Sequence, residues 1–277
     1  MVYITKVDGR KEKFERKKVY GTCIRAGVPK KVASRISKEV ENEIHEGISS
    51  RKILDIVLKK LDRYKSQHSA LYNLKKALAD LDPGDSQFEK YVRHILKEHG
   101  YKTRWNKIIQ GECIEHQIDV IAEKDDKKYL VECKHHINPH RYSGLGTALQ
   151  TWAVIDDMRK GFKKGKSKEK FENIWLVTNT KFSAHSIRYA KAKKMRLIGW
   201  DYPKGNDLRH LIKKKGIYPV TILDGNKKVI KKFTDKGILL IKEVNEKTVN
   251  ELNNKTKISK KKLKKIKKAA RKILKSG

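Results

Sequence analysis

Residues 118–134 read IDVIAEKDDKKYLVECK, and this stretch decides the fold. Two apolar runs, Ile118–Glu123 and Tyr129–Lys134, flank the charged segment Lys124–Lys128. Apolar runs of strand length on either side of a polar turn predict a β-hairpin. Glu132 and Lys134 lie two apart on the second strand, so they share a face with Leu130, while Val131 and Cys133 take the other. An acid and a base at the end of an otherwise apolar strand are costly unless they are paired or bind something. If the hairpin closes as read, Asp119 stands next to them.

Outward from the hairpin, the same texture continues on both sides. Phe88, Tyr91, Val92, Ile95 and Leu96 fall at helical spacing, and a strand follows near 103–109. After the hairpin come a helix over about 144–160, a basic loop at 160–170, and the strand Ile174–Thr178. A helix over 183–194, the strand Leu197–Trp200 and a short helix over 206–214 complete the run. The order α-β-β-β-α-β-α-β-α predicts a mixed sheet with helices on both faces.

Upstream, residues 2–7 and 10–14 read as two short strands around Asp8-Gly9, a strong hairpin signal. Helical stripes follow. Val19, Cys23 and Ile24 start one, and Val32, Ala33, Ile36, Val40 and Ile44 make the next, stopped by Gly47. Ser49 or Ser50 can cap a third helix carrying Ile53, Ile56, Val57, Leu58 and Leu61. A fourth runs through Leu71, Leu74, Ala77, Leu78 and Leu81 until Asp82-Pro83-Gly84 breaks it, and a domain boundary is placed there. Downstream of about 216 the pattern weakens. Ser259 can cap a last helix with Leu263, Ile266, Ala270 and Ile273 on one side. Residues 255–277 carry roughly a dozen Lys and Arg and no acid, a block typical of an interaction tail or a solvated end.

The 277 residues carry a formal net charge of +36, which speaks to partners and not to fold. No run approaches the roughly 18 apolar residues of a membrane span, and MVYITKVDGRKEKF has no signal-type apolar core. The expectation is a soluble, cytoplasmic chain whose partner is nucleic acid. The loop Lys160–Lys170 and the segment 255–277 are the leading phosphate contacts, and the segment from about 236 faintly resembles a helix-hairpin-helix module. Three cysteines, Cys23, Cys113 and Cys133, form no disulfide framework. Cys133, His135, His136 and His140 suggest a zinc site as a minor alternative, weakened because alternate strand residues point to opposite faces. His135 and His136 read better as loop residues near phosphate, and Gln150 as a polar surface residue.

The chemistry explains the residue types. Asp119 and Glu132 can hold Mg²⁺ and leave positions open for water and a phosphate oxygen. A metal so placed acidifies water and withdraws phosphate charge. Lys134 can orient the water or stabilise the transition state. An ExK on a strand is, taken alone, more often a surface ion pair.

These residues, in this order of elements, resemble the PD-(D/E)xK nuclease superfamily and in particular the Mrr-like restriction endonucleases. Asp119 matches the aspartate, and Glu132-Cys133-Lys134 the (D/E)xK element, while Ile118 replaces the family's proline. FEKYVRHILKEHGY resembles the opening helix, where Glu89 matches an acid that often joins the metal site. Ser86-Gln87-Phe88-Glu89 is also a capping-box pattern, which would give Glu89 a purely local role. WLVTNTKFSAHSIRYAKAKKMRLIGWD resembles the family's strand-helix-strand.

Residues 1–82 resemble the ATP-cone, a nucleotide-sensing module, through ITKVDGRKEKFERKKV, the GISS helix start and LYNLKKAL. The resemblance implies phosphate contacts from Lys6 and Lys18, a nucleotide contact from Glu12, and a hydroxyl near the base from Ser50. Val7 and Glu15 depart from its pattern. Independently, Lys6, Arg10, Lys11 and Lys13 offer donors to a polyphosphate, and no Walker-type GxxxxGK[ST] is present.

The sequence therefore predicts an α/β chain in three parts. These are an α+β ATP-cone of hairpin plus helix bundle over 1–82, a restriction-endonuclease-like mixed sheet flanked by helices over 85–215, and a basic helical segment over 216–277. The implied activity is Mg²⁺-dependent (or Mn²⁺-dependent) DNA cleavage, through Asp119, Glu132, Lys134 and Glu89, with ATP or dATP as effector. Double-strand cleavage by one site per chain would favour a homodimer. A resolvase of branched DNA is a close variant. The rival is a non-catalytic, nucleotide-responsive DNA-binding regulator.

Overall fold

The computed structural model describes residues 2–64, 70–223 and 227–275. It begins with the hairpin that Asp8-Gly9 predicts. Strands β1 (Tyr3–Thr5) and β2 (Lys11–Lys13) pair antiparallel with Tyr3 opposite Lys13. Gly9 takes φ +83°, a conformation glycine adopts without strain. Helices α1 (Arg16–Arg25), α2 (Lys30–Glu43), α3 (Ser50–Tyr64) and α4 (Leu74–Ala79) follow. Their buried positions repeat at helical spacing, as with Ala33, Ile36, Ser37 and Val40 on α2. Ser49 and not Ser50 caps α3, its Oγ accepting the Lys52 N–H at 3.2 Å. Asp82 ends the helical run by accepting the Gly84 N–H at 2.9 Å.

The chain divides into two compact units, Lys75–Thr221 and a second made of Met1–Leu74 with Ile222–Gly277. The first unit contains α5 (Gln87–Glu98), β3 (Lys102–Gln110), β4 (Glu115–Lys124) and β5 (Lys127–Lys134). Next come β6 (Tyr142–Ser143), α6 (Leu145–Lys163), β7 (Asn173–Thr178) and β8 (Lys181–Phe182). It ends with α7 (Ala184–Ala192), β9 (Arg196–Ile198) and α8 (Leu208–Lys215). The central sheet runs β3-β4-β5-β7-β9. Its first three strands are antiparallel, and β5, β7 and β9 are parallel, so the sheet is mixed as expected.

The hairpin turn is tighter than the sequence suggested. Asp125 and Asp126 alone make it, at φ +51° and +58°. Two consecutive left-handed residues are what a two-residue type I′ turn requires. Ile121, Leu130, Ile174 and Leu176 from the sheet join Ile155 and Met158 of α6 in one buried cluster. On α5, the predicted stripe Phe88, Tyr91, Val92, Ile95 and Leu96 is wholly buried. Two-residue β6 and β8 form a small parallel pair, which alternation over two residues could not announce.

The second unit's C-terminal part is ordered helix: α9 (Lys227–Thr234), α10 (Ile241–Glu246), α11 (Val249–Thr256) and α12 (Lys260–Leu274). On α12 the packed side is Leu263, Lys267, Ala270 and Ile273. Lys267 is thus buried where Ile266 was expected. Among the described residues no helix is long and apolar enough to cross a membrane.

Candidate active site

Asp119 lies where the hairpin ladders falter. The β3–β4 register runs through Trp105↔Val120 and Lys107↔Ile118 and omits the pair between them, Asn106 and Asp119. Asn106 sits at φ +49°, a conformation that non-glycine residues other than Asn and Asp rarely accept. The β4–β5 register stops at Val120↔Val131. The next N–H, that of Cys133, is received by the Asp119 side chain, Oδ2 accepting at 2.8 Å. The β5–β7 ladder meanwhile continues through Glu132↔Leu176 to Lys134↔Thr178. The strands therefore separate on one side of β5 and stay paired on the other, and Asp119, Glu132 and Lys134 gather at the fork.

The electrostatics follow from that placement. Burial raises the Glu132 carboxyl to about 7, the Asp119 charge adds to the rise, and Lys134 opposes it. Burial raises Asp119 to about 6, with the Glu89 charge adding and the Cys133 N–H and Lys134 opposing. Glu89 on α5 thus faces both carboxylates. The alternative local role for Glu89 is not realised: Ser86 is left-handed at φ 49° and makes no side-chain cap to the helix. Gln87 instead turns back, its Oε1 accepting the Asp82 N–H at 2.9 Å. Half-buried acids that repel one another while a single lysine opposes them fit a divalent cation, whose charge would offset both burial and repulsion.

Among the described residues, the trio whose ligand atoms all lie within 4.8 Å of one another is Glu112, Cys113 and Asp157, and not Glu89, Asp119 and Glu132. That tighter trio is accounted for by a loop held against α6. Asp157 accepts the Cys113 N–H at 2.9 Å and contacts His116 Nε2 at 2.8 Å, and its backbone carbonyl accepts the Glu112 N–H at 3.0 Å. Glu112 pairs with Lys164. A Cβ on Gly161 would stand 2.5 Å from the Gly111 carbonyl carbon, so glycine is what admits the loop.

Sequence reasoning missed Asn106 and a hydroxyl cluster behind Lys134. Ser143 Oγ bonds Thr178 Oγ1 at 3.1 Å, and Thr178 and Thr180 hydroxyls meet at 3.1 Å, all buried. Asn179 braces the following loop, giving Nδ2–H to the His136 carbonyl at 2.8 Å and receiving the His136 N–H at 2.9 Å. The residue types were visible, an Asn amid WNKII and Thr-Asn-Thr closing an apolar strand, but not the backbone angle or the pairing that gives them a role. His135 binds the Leu78 carbonyl through Nε2 at 2.9 Å and stacks on Phe88. Burial, then the charge of Arg141, presses His136 down to about 4. That imidazole is neutral at pH 7 and offers phosphate no charge. Gln150 is exposed.

At the N-terminal hairpin and the start of α1, three of the four expected nucleotide contacts, Lys6, Glu12 and Lys18, meet. Lys6 lies 3.6 Å from Glu12, Lys18 bonds Glu12, and Lys18 also reaches Glu15 at 2.8 Å. The Lys18 ammonium, first among its neighbours, holds Glu12 below its ordinary value. Ser50 follows Ser49, which bridges Thr5 of β1. Of the other cations there, Arg10 is bonded to Asp8 at 2.6 and 2.9 Å.

Comparison with known proteins finds three matches along the chain. Residues 2–78 match the ATP cone domain, 82–212 a restriction endonuclease domain of the Mrr catalytic type, and 218–274 the AF1548-like C-terminal domain. An uncharacterized protein of Archaeoglobus fulgidus is 38% identical over 153 residues, spanning 55% of this chain and 83% of its own. A second from that organism is 44% identical over 41 residues, 15% of this chain and 87% of the relative. The crystal structure of AF1548, a protein of unknown function, is 35% identical with a TM-score of 0.58, covering 69% of this chain and all of AF1548.

Proposed function

This chain, with its ATP-cone and restriction-endonuclease domains, belongs to the AF1548-like family, and on that premise we propose that it is a divalent-metal-dependent DNA endonuclease regulated by ATP or dATP. The reading rests on one observation: Asp119, Glu132 and Lys134 gather where β4 and β5 part, with Glu89 facing both acids. Asp119 and Glu132 hold Mg²⁺ or Mn²⁺, which when bound supplies a more acidic water and withdraws charge from phosphate. Lys134 orients the attacking water or neutralises the developing charge. Glu89, whose charge acts on both acids, joins the metal site.

Lys6 and Lys18 take the nucleotide phosphates, displacing their ion pairs with Glu12 and Glu15, and Glu12 and Ser50 contact the nucleoside. The division into 1–82, 85–215 and 216–277 belongs to the same proposal, as does a homodimer for double-strand cleavage. Supercoiled plasmid incubated with Mg²⁺, with and without ATP or dATP, tests it. Nicked or linear product from wild type, absent from Asp119→Ala, supports the reading, and wild type no more active than that variant across salt and nucleotide conditions overturns it.

A further inference from the structure

The C-terminal helices contain a basic groove that neither the nuclease site nor the nucleotide module uses. It has a volume of about 550 Å³ and is lined by Val249 together with cations of α12 and its C-terminal cap, among them Lys264, Lys268, Arg271 and Lys275. At 3.6 residues per turn these four positions fall within about 60° of one another around the helix. They form one stripe. At 1.5 Å per residue the stripe is about 16 Å long.

The helix that carries the stripe is fixed in place. Lys267, 8% exposed, turns inward and donates to the carbonyls of Val244 at 3.2 Å and Asn245 at 2.9 Å, and also to that of Lys247. One ammonium thus gathers carbonyls at the end of α10 and in the turn to α11, where unsatisfied acceptors concentrate. Arg271 Nε donates to Asn245 Oδ1 at 2.9 Å. Leu263, Ala270 and Ile273 bury the same side. Lys264, Lys268 and Lys275 remain exposed along the groove. Among the described residues no carboxylate lines it.

We propose that this groove is a phosphodiester-backbone cradle that retains DNA independently of sequence, in a different compact unit from the nuclease site. The occupant is argued from charge and dimension together. Consecutive phosphates of a duplex strand lie about 7 Å apart along the backbone, so about 16 Å of stripe spans about three of them. Four cations on a docked helix meet that repeat without first being ordered. Contacts of this kind position DNA and read no sequence. The proposal takes its DNA partner from the function proposed above, but its test needs no cleavage.

Anisotropy of a labelled duplex of arbitrary sequence, titrated with the full chain in EDTA at several salt concentrations, measures the cradle. The exposed trio Lys264→Gln, Lys268→Gln and Lys275→Gln is compared with an equal charge loss in the nuclease unit, Lys163→Gln, Lys168→Gln and Lys170→Gln. The groove triple is expected to lower the slope of log K against log salt by about 2.7 and weaken binding roughly 30-fold or more, with a second unrelated duplex affected equally. The loop triple is expected to change the slope by less than half as much. An unchanged slope in the groove triple, or equal losses from both triples, overturns the proposal. So does a defect confined to phosphatidylserine vesicles, which would assign the groove to a membrane surface. Circular dichroism checks the fold, and Lys268→Glu alone, expected to reduce the slope by about 1 or more, replaces the triple if it unfolds.

Discussion

Metal and protons compete for the same two carboxylates, and the competition has a calculable size. Burial holds Glu132 at about 7 and Asp119 at about 6. A cation requires both ionised. Between about pH 7.5 and about pH 5.5 the ionised fraction of a group at 7 falls about 25-fold, and that of a group at 6 about 4-fold. Taken as independent they weaken Mn²⁺ binding roughly 100-fold, whereas a pair at ordinary carboxylate values would change it by only about a tenth. Mn²⁺ titration followed by electron paramagnetic resonance of the free ion reads this directly. Affinity differing less than about 3-fold between the two pH values would refute the claim that these acids are buried against each other and receive the metal.

Glu132 should also destabilise the metal-free fold as it ionises. Its folded value, about 7, lies above the 4.5 of an ordinary glutamate, so stability is lost as pH rises from about 4.5 through 7. Glu132→Gln should therefore stabilise the fold in EDTA at about pH 8 by of order 1–3 kcal/mol, read as a higher Tm, and have little effect near pH 4; a lower Tm at pH 8 would count against it. Asn106→Gly should preserve metal affinity, while Asn106→Val, forced to a positive φ, should lose about 1–2 kcal/mol of stability and weaken metal binding; calorimetry distinguishes them. Gly161→Ala should lower Tm although alanine is the better helix former, because a Cβ 2.5 Å from the Gly111 carbonyl carbon overpacks by about 1–3 kcal/mol. Lys18→Ala should weaken ATP or dATP binding roughly 10-fold or more in a titration, and unchanged affinity would remove Lys18 from the nucleotide site.

Where the chain obeys a simple period, the fold was legible. The stripe Phe88–Leu96 gave α5 because a buried helical face repeats its apolar positions. The alternation around Asp125-Asp126 gave the hairpin and set Glu132 and Lys134 on one face. What escaped were features that one strand or helix cannot encode. The fork at Asp119 depends on a left-handed residue in the neighbouring strand. The role of Glu89 depended on whether Ser86 would cap its helix, a matter of backbone angle and not of residue type. Lys267 looked like part of a solvated charge block, yet it is buried because three carbonyls from another segment converge on it. Helices as short as Ile241–Glu246 have too few turns to display a stripe.

Cleavage of supercoiled plasmid in Mg²⁺ by Lys134→Ala, set beside the metal affinity of that variant, probes the site most directly. Retained Mn²⁺ binding with cleavage lowered roughly 100-fold or more is the predicted outcome, since the lysine acts on the reacting phosphate and its water. Cleavage by Lys134→Ala at the wild-type rate would contradict it.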